Sequence, residues 1–194
     1  MANPSKGKIK LIKNGTMLAI DPSSGSRGSH IGYALFDKGL LIESGEIDLS
    51  DEWGLPVHQR LGHIHDCLRD SFPFVDLLVT EKIRVVSRRG SYKATEPLVY
   101  AIGVIMSGIK HGAFVEIHPR THIATSNRLF DEYKKTDEYD AISIGLCMIA
   151  FANGYEPKKI DNKNQEDKKN ELIQLIQESY SEDYLHLDII EEVT

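Results

Sequence analysis

Four apolar residues in Met17-Leu-Ala-Ile-Asp21-Pro-Ser-Ser24 run straight into an aspartate, and a turn follows. An apolar run of that length reads as a buried strand. An unpaired charge is costly to bury, so the strand must end at Asp21, with the carboxylate facing a site rather than the core. The pattern returns at Val75-Asp-Leu-Leu-Val-Thr-Glu81, a second apolar strand ending on an acid. Thr136-Asp137-Glu-Tyr-Asp140 then opens the most hydrophobic helical stretch of the chain. Three acidic points, each at the end of a buried element, predict a cluster of carboxylates.

The rest of the chain supplies the elements between these points. Residues 1–15 read as a flexible basic leader, and 16–21 as the first strand. Ser23 to His30 is a Gly- and Ser-rich loop. Ile31 to Phe36 and Leu40 to Ile47 are strands joined by the turn at Asp37-Lys-Gly39, which predicts an antiparallel meander. Val57, Leu61, Ile64 and Leu68 form the apolar stripe of a helix over Val57 to Phe72, stopped by Pro73. After the strand Val75 to Glu81, Thr95 is the expected N-cap of a buried helix, with Pro97 in its first turn and its body from Leu98 to Ile109. Ala113 to His118 is the fifth strand. Arg120 to Lys135 reads as a short helix and a basic loop, and Asp137 to Ala152 as the last core helix, capped by Thr136. The order β-β-β-α-β-α-β-α predicts an α/β fold. Three antiparallel strands and then parallel ones make a mixed five-stranded sheet with helices on both faces, similar to the layout of an RNase H-like domain. The domain is expected over 16–155, followed by a charged linker and acidic helical tail over 156–194.

Charge separates along the same boundary. The net charge of -6 falls entirely in residues 156–194, which hold 5 Lys against 11 Asp and Glu, so residues 1–155 balance. Within the balanced part, Lys82 to Lys93 (KIRVVSRRGSYK) carries Lys82, Arg84, Arg88, Arg89 and Lys93 with no acid. Such a loop suits phosphate better than the overall sum suggests. Cys67 and Cys147 fall in helical patterns far apart and read as reduced core residues, which favours a cytoplasmic, reducing compartment. No apolar run approaches the ~20 residues that span a bilayer, and the polar start lacks a signal-peptide core.

The acids carry the chemistry. Residues three apart share a helix face, so Asp137 and Asp140 point the same way at a helix N-terminus, where negative charge is tolerated. With Asp21 and Glu81 they make a set that repels itself unless cations neutralise it. All-oxygen ligands suit Mg²⁺, with Mn²⁺ as a substitute. Two such ions ~4 Å apart suit a phosphodiester displacement. Each acid alone also has a structural reading: Asp21-Pro as a turn starter, Glu81 as a strand-end surface residue, Asp137 as a helix-start preference.

These residues resemble the RuvC family of Holliday-junction resolvases, in a divergent phage- or virus-type version. Asp21-Pro-Ser-Ser with Gly32-Tyr-Ala-Leu-Phe is similar to the family's opening Asp-Pro-Gly-Ser and Thr-Gly-Tyr-Gly. Val79-Thr-Glu81 resembles its second acidic strand end, and Asp137-Glu-Tyr-Asp140-Ala141-Ile its Asp-x-x-Asp-Ala helix start. The family glycine after Asp-Pro is Ser23 here. The resemblance implies that Asp21, Glu81, Asp137 and Asp140 are catalytic and bind metal. It further implies a homodimer cutting two strands of a four-way DNA junction to leave 5′-phosphate and 3′-hydroxyl ends. By the same analogy the helix Leu98 to Ile109 is the dimer face.

DNA contacts are expected from Lys82, Arg84, Arg88, Arg89 and Lys93, which follow the second acidic strand and position phosphate without reading bases. Tyr92 is placed to stack at an opened junction, and Arg120, Lys134 and Lys135 form a second patch. Three further readings stand beside the resolvase. One is an RNase H-like or general branched-DNA nuclease, another a catalytically silent dimeric DNA-binding scaffold. The last, an actin-like phosphotransferase, is disfavoured because Asp-Pro-Ser-Ser is not a Gly-rich phosphate loop.

Overall fold

The computed structural model describes residues 10, 12–23, 30–49, 51, 54–83, 92–119 and 136–153, with the backbone alone for 92–95. Its elements are β1 (Thr16–Asp21), β2 (His30–Asp37), β3 (Leu40–Asp48), α1 (Val57–Ser71), β4 (Phe74–Glu81), α2 (Tyr92–Gly108), β5 (Lys110–Ile117) and α3 (Asp137–Ala152). The five strands form one sheet in the order β3-β2-β1-β4-β5. β1 pairs antiparallel with β2, and β2 with β3. β1 pairs parallel with β4, and β4 with β5. This is the mixed sheet expected from the element order.

The sheet separates two apolar layers by the period-two alternation of its strands. Met17, Ala19, Ala34, Phe36, Leu77 and Val79 pack with Ala141, Ile144, Cys147 and Met148 of α3. Leu18, Ile20, Ile31 and Leu78 pack on the opposite face with Ile64 and Leu68 of α1 and Ile105 of α2. Helices therefore cover both faces, and the residues of β1 from Met17 to Ile20 are completely buried. The β2–β3 turn has Lys38 at φ 51° and Gly39 at φ 88°. Two positive values match the twist of a tight hairpin.

Three boundaries differ from the sequence reading by more than one residue. α2 begins at Tyr92, so Thr95 lies inside the helix and not at its cap, with Pro97 enclosed. Pro97 marks a favoured first-turn position, but the helix continues backward past it. β5 begins at Lys110, three residues before the expected start. Its pairing with β4 runs from Phe74 beside Lys110, a backbone ladder that the polar Lys-His-Gly start does not disclose. The expected flexible leader is anchored at its described end: residues 12–14 are helical, and Ile12, 1% exposed, joins the α3-side core. The folded unit thus starts before residue 16. The tail over 156–194 and the segment 120–135 lie outside the described residues. No disulfide joins Cys67 and Cys147, which sit on helices at opposite faces of the sheet. Among the described residues, no helix is long and apolar enough to cross a membrane.

Candidate active site

Asp21 and Glu81 are the last residues of two central parallel strands. Ile20 lies beside Thr80, so Asp21 and Glu81 stand one residue further along both strands. Alternation puts them on the face that carries Ala19 and Val79, the face covered by α3.

The N-terminus of α3 reaches this corner because β2 has a glycine there. Gly32 pairs with Asp21 in the antiparallel ladder. A Cβ on Gly32 would collide with the backbone carbonyl of Asp137. The second seat lies four residues along β2, where the Phe36 ring fills the space that a Cβ on Gly145 would need. Four strand residues span about 13 Å and the eight helix residues from Asp137 to Gly145 about 12 Å. Helix and strand therefore run together in register, and the first turn of α3 is fixed over Gly32. Thr136 caps that turn as expected, its hydroxyl accepting the Tyr139 amide at 3.3 Å.

The other three acids act on Asp21 electrostatically. Burial pushes the Asp21 carboxyl well above its usual range, and repulsion from Asp140, Asp137 and Glu81 adds to the rise. Asp137 is raised as well, first by burial. The His30 amide opposes that rise, donating to Asp137 Oδ2 at 3.2 Å, while Glu46 and Asp140 add to it.

The donor set fits Mg²⁺ or Mn²⁺ in chemistry, being all carboxylate oxygen. Among the described residues, no three His, Cys, Asp or Glu side chains are gathered closely enough to hold an ion.

The expected DNA contacts are reached only in part. Lys82 directly follows β4; its amide donates to the Ile117 carbonyl at 2.6 Å, and its ammonium lies 3.8 Å from the Glu116 carboxylate. Its side chain is 55% exposed, so the pair is a weak surface one. Tyr92 and Lys93 start α2, and their side chains lie outside the description. Arg84, Arg88, Arg89, Arg120, Lys134 and Lys135 also fall outside the described residues.

Sequence reasoning missed the groups that seat α3. Glu46 of β3 pairs across from Gly32, and its Oε1 accepts the Glu138 amide at 3.2 Å. Ser44 donates to Glu138 Oε1 at 2.6 Å. A glycine inside a strand is a signal of close backbone approach, and that signal was available at Gly32 but was not read. Nothing in the pattern distinguishes Glu46 from any other acid on an edge strand.

No protein-family model matches this chain, and no curated protein matches it. Solved structures do. Thermus thermophilus RuvC in complex with a Holliday junction substrate aligns at a TM-score of 0.50 with 15% identity, covering 70% of this chain and 92% of that one. A second Thermus thermophilus RuvC structure aligns at 0.48 with 16% identity, covering 70% and 93%. Sheet order, helix placement and the first of these alignments agree: this chain has a RuvC-like, RNase H-like fold.

Proposed function

We propose that this protein is a metal-dependent endodeoxyribonuclease that resolves four-way DNA junctions as a homodimer. The observation that carries the proposal is the placement of Asp21 and Glu81 at the ends of two adjacent parallel strands, with the α3 start that bears Asp137 and Asp140 seated on Gly32 beside them. Asp21, Glu81, Asp137 and Asp140 would hold the divalent ions. When bound, those ions supply positive charge to the phosphate and lower the pKa of the attacking water. The protein's own part is to hold four oxygen donors on strand ends and a helix start, elements more rigid than loops. In the hydrolysis, a water oxygen bonds to phosphorus and the bond to the 3′ oxygen breaks. The phosphate stays on the 5′ end, and the 3′ oxygen leaves as a hydroxyl.

The basic segment Lys82 to Lys93 begins where Glu81 ends, which suits it to grip the backbone flanking the cut. The Thermus thermophilus RuvC neighbour is in complex with a Holliday junction substrate, which favours a four-way junction for this chain too. A two-fold dimer matches a two-fold junction. An exposed stripe on α2 supports that assembly: Val99 is 43% exposed and Met106 37%, and Gly103 between them has open space above it.

Competition among a four-way junction, a three-way junction, an RNA–DNA hybrid and linear duplex tests the substrate. Preferential cutting of the four-way junction is expected. Equal rates on all substrates would leave a general nuclease, and tight junction binding without cutting would leave a scaffold.

A further inference from the structure

Of the amides in the first turn of α3, the Tyr139 N–H is satisfied locally by Thr136. The Glu138 N–H is satisfied from the sheet, by Glu46 Oε1 at 3.2 Å. That bond ties the start of the helix to the edge strand. Ser44, two residues earlier on β3 and on the same face, adds its hydroxyl to the Glu138 carboxylate at 2.6 Å. The other Glu46 oxygen lies 3.8 Å from His30 Nδ1, and His30 Nε2 lies 3.4 Å from Asp48. The His30 amide donates in turn to Asp137 Oδ2.

The sheet register explains this arrangement. Gly32 pairs with Asp21 on one side and with Glu46 on the other. The first turn of α3 rests on the glycine, with an acid on each flank. Asp21 and Glu46 are two strand spacings apart, about 10 Å. Glu46 is therefore held away from Asp21 by the width of the glycine strand, and its oxygens are engaged by the helix amide and His30.

We infer that Glu46 is a positioning residue for the acidic corner: through the Glu138 amide it sets how the first turn of α3 presents Asp137 and Asp140 to divalent cations. The inference rests on the metal-binding reading of that corner. It acts through an acceptor oxygen, so glutamine, which keeps that oxygen, should replace it, and alanine should not.

The test is Mn²⁺ titration calorimetry on wild type, Glu46→Ala, Glu46→Gln and Asp21→Asn, with thermal melts to confirm that each is folded. Glu46→Ala should weaken Mn²⁺ binding by about tenfold, the scale of lost supporting contacts, while Glu46→Gln stays within about twofold of wild type. Wild-type affinity in Glu46→Ala, with binding still abolished by Asp21→Asn, overturns this inference alone. Equal losses in the alanine and glutamine variants overturn it too, because the charge and not the acceptor would then be acting. A wild type that binds no Mn²⁺ overturns the metal-binding reading, and this inference with it.

Discussion

The backbone carbonyl of Asp137 occupies the space that a side chain on Gly32 would need. One residue without a Cβ thus lets a helix start descend onto the sheet beside Asp21, its ladder partner. That contact sets the start of α3, with Asp137 and Asp140, at the corner where β1 and β4 end on Asp21 and Glu81.

Gly32→Ala should therefore damage both fold and site. Overpacking against backbone costs about 1–3 kcal/mol, and the displaced first turn carries Asp137 and Asp140 with it. Urea unfolding should show the loss, and DNA cleavage should fall further than the lost stability explains. Gly62 on α1 has open space above it and serves as the control. Gly62→Ala should stabilise by about 0.5–1 kcal/mol, the usual gain of alanine over glycine in a helix.

Much of this arrangement was legible in the sequence. The strand ends at Asp21 and Glu81 follow from apolar runs that a charge must terminate. The α3 start at Thr136 follows from a capping residue before a hydrophobic helix, and Asp137–Ala152 is the observed span. The mixed sheet follows from the order of elements. The start of α2 did not follow, because Pro97 resembles a first-turn residue while the helix extends back to Tyr92. The start of β5 was hidden because backbone pairing with β4 does not depend on the side chains of Lys110, His111 and Gly112. Glu46 was hidden because its role depends on a contact between β3 and α3, 92 residues apart in sequence.

Asp21 makes stability depend on pH. Its folded-state pKa lies above the usual 3.8, so the ionised form opposes folding. Its stabilising contribution is fully present below about 3.8 and is lost as pH rises through the raised value. Asp137 shifts in the same direction. Asp21→Asn should therefore melt higher than wild type at neutral pH, and the gap should close on acidification. Saturating Mg²⁺ should raise the wild-type melting temperature and leave that of Asp21→Asn nearly unchanged, as expected for a ligand that binds only the intact site. Thermal melts across pH, with Mg²⁺ and with chelator, check both statements.

The proposed dimer makes a prediction at the exposed α2 stripe. A charge at Val99 or Met106 would be desolvated in a packed interface and is tolerated on a free surface. Val99→Glu with Met106→Glu should convert the dimer to a monomer in light scattering without lowering the melting temperature of the protomer. A wild type that is already monomeric would refute the dimer.

The basic segment makes a prediction in salt. Each phosphate contact lowers the slope of log affinity against log salt by roughly 0.9. Arg88→Ala with Arg89→Ala should weaken junction binding and flatten that slope by about two contacts' worth, equally for junctions of different sequence. Fluorescence anisotropy over a salt series measures this.

The most direct test of the account is to incubate the protein with a synthetic four-way junction and a matched linear duplex, in Mg²⁺, Mn²⁺ or chelator, beside Asp21→Asn. The account predicts paired nicks on the junction alone, dependent on the cation and absent in the variant, with 5′-phosphate and 3′-hydroxyl ends. Cleavage that persists in chelator, or in Asp21→Asn, would contradict it.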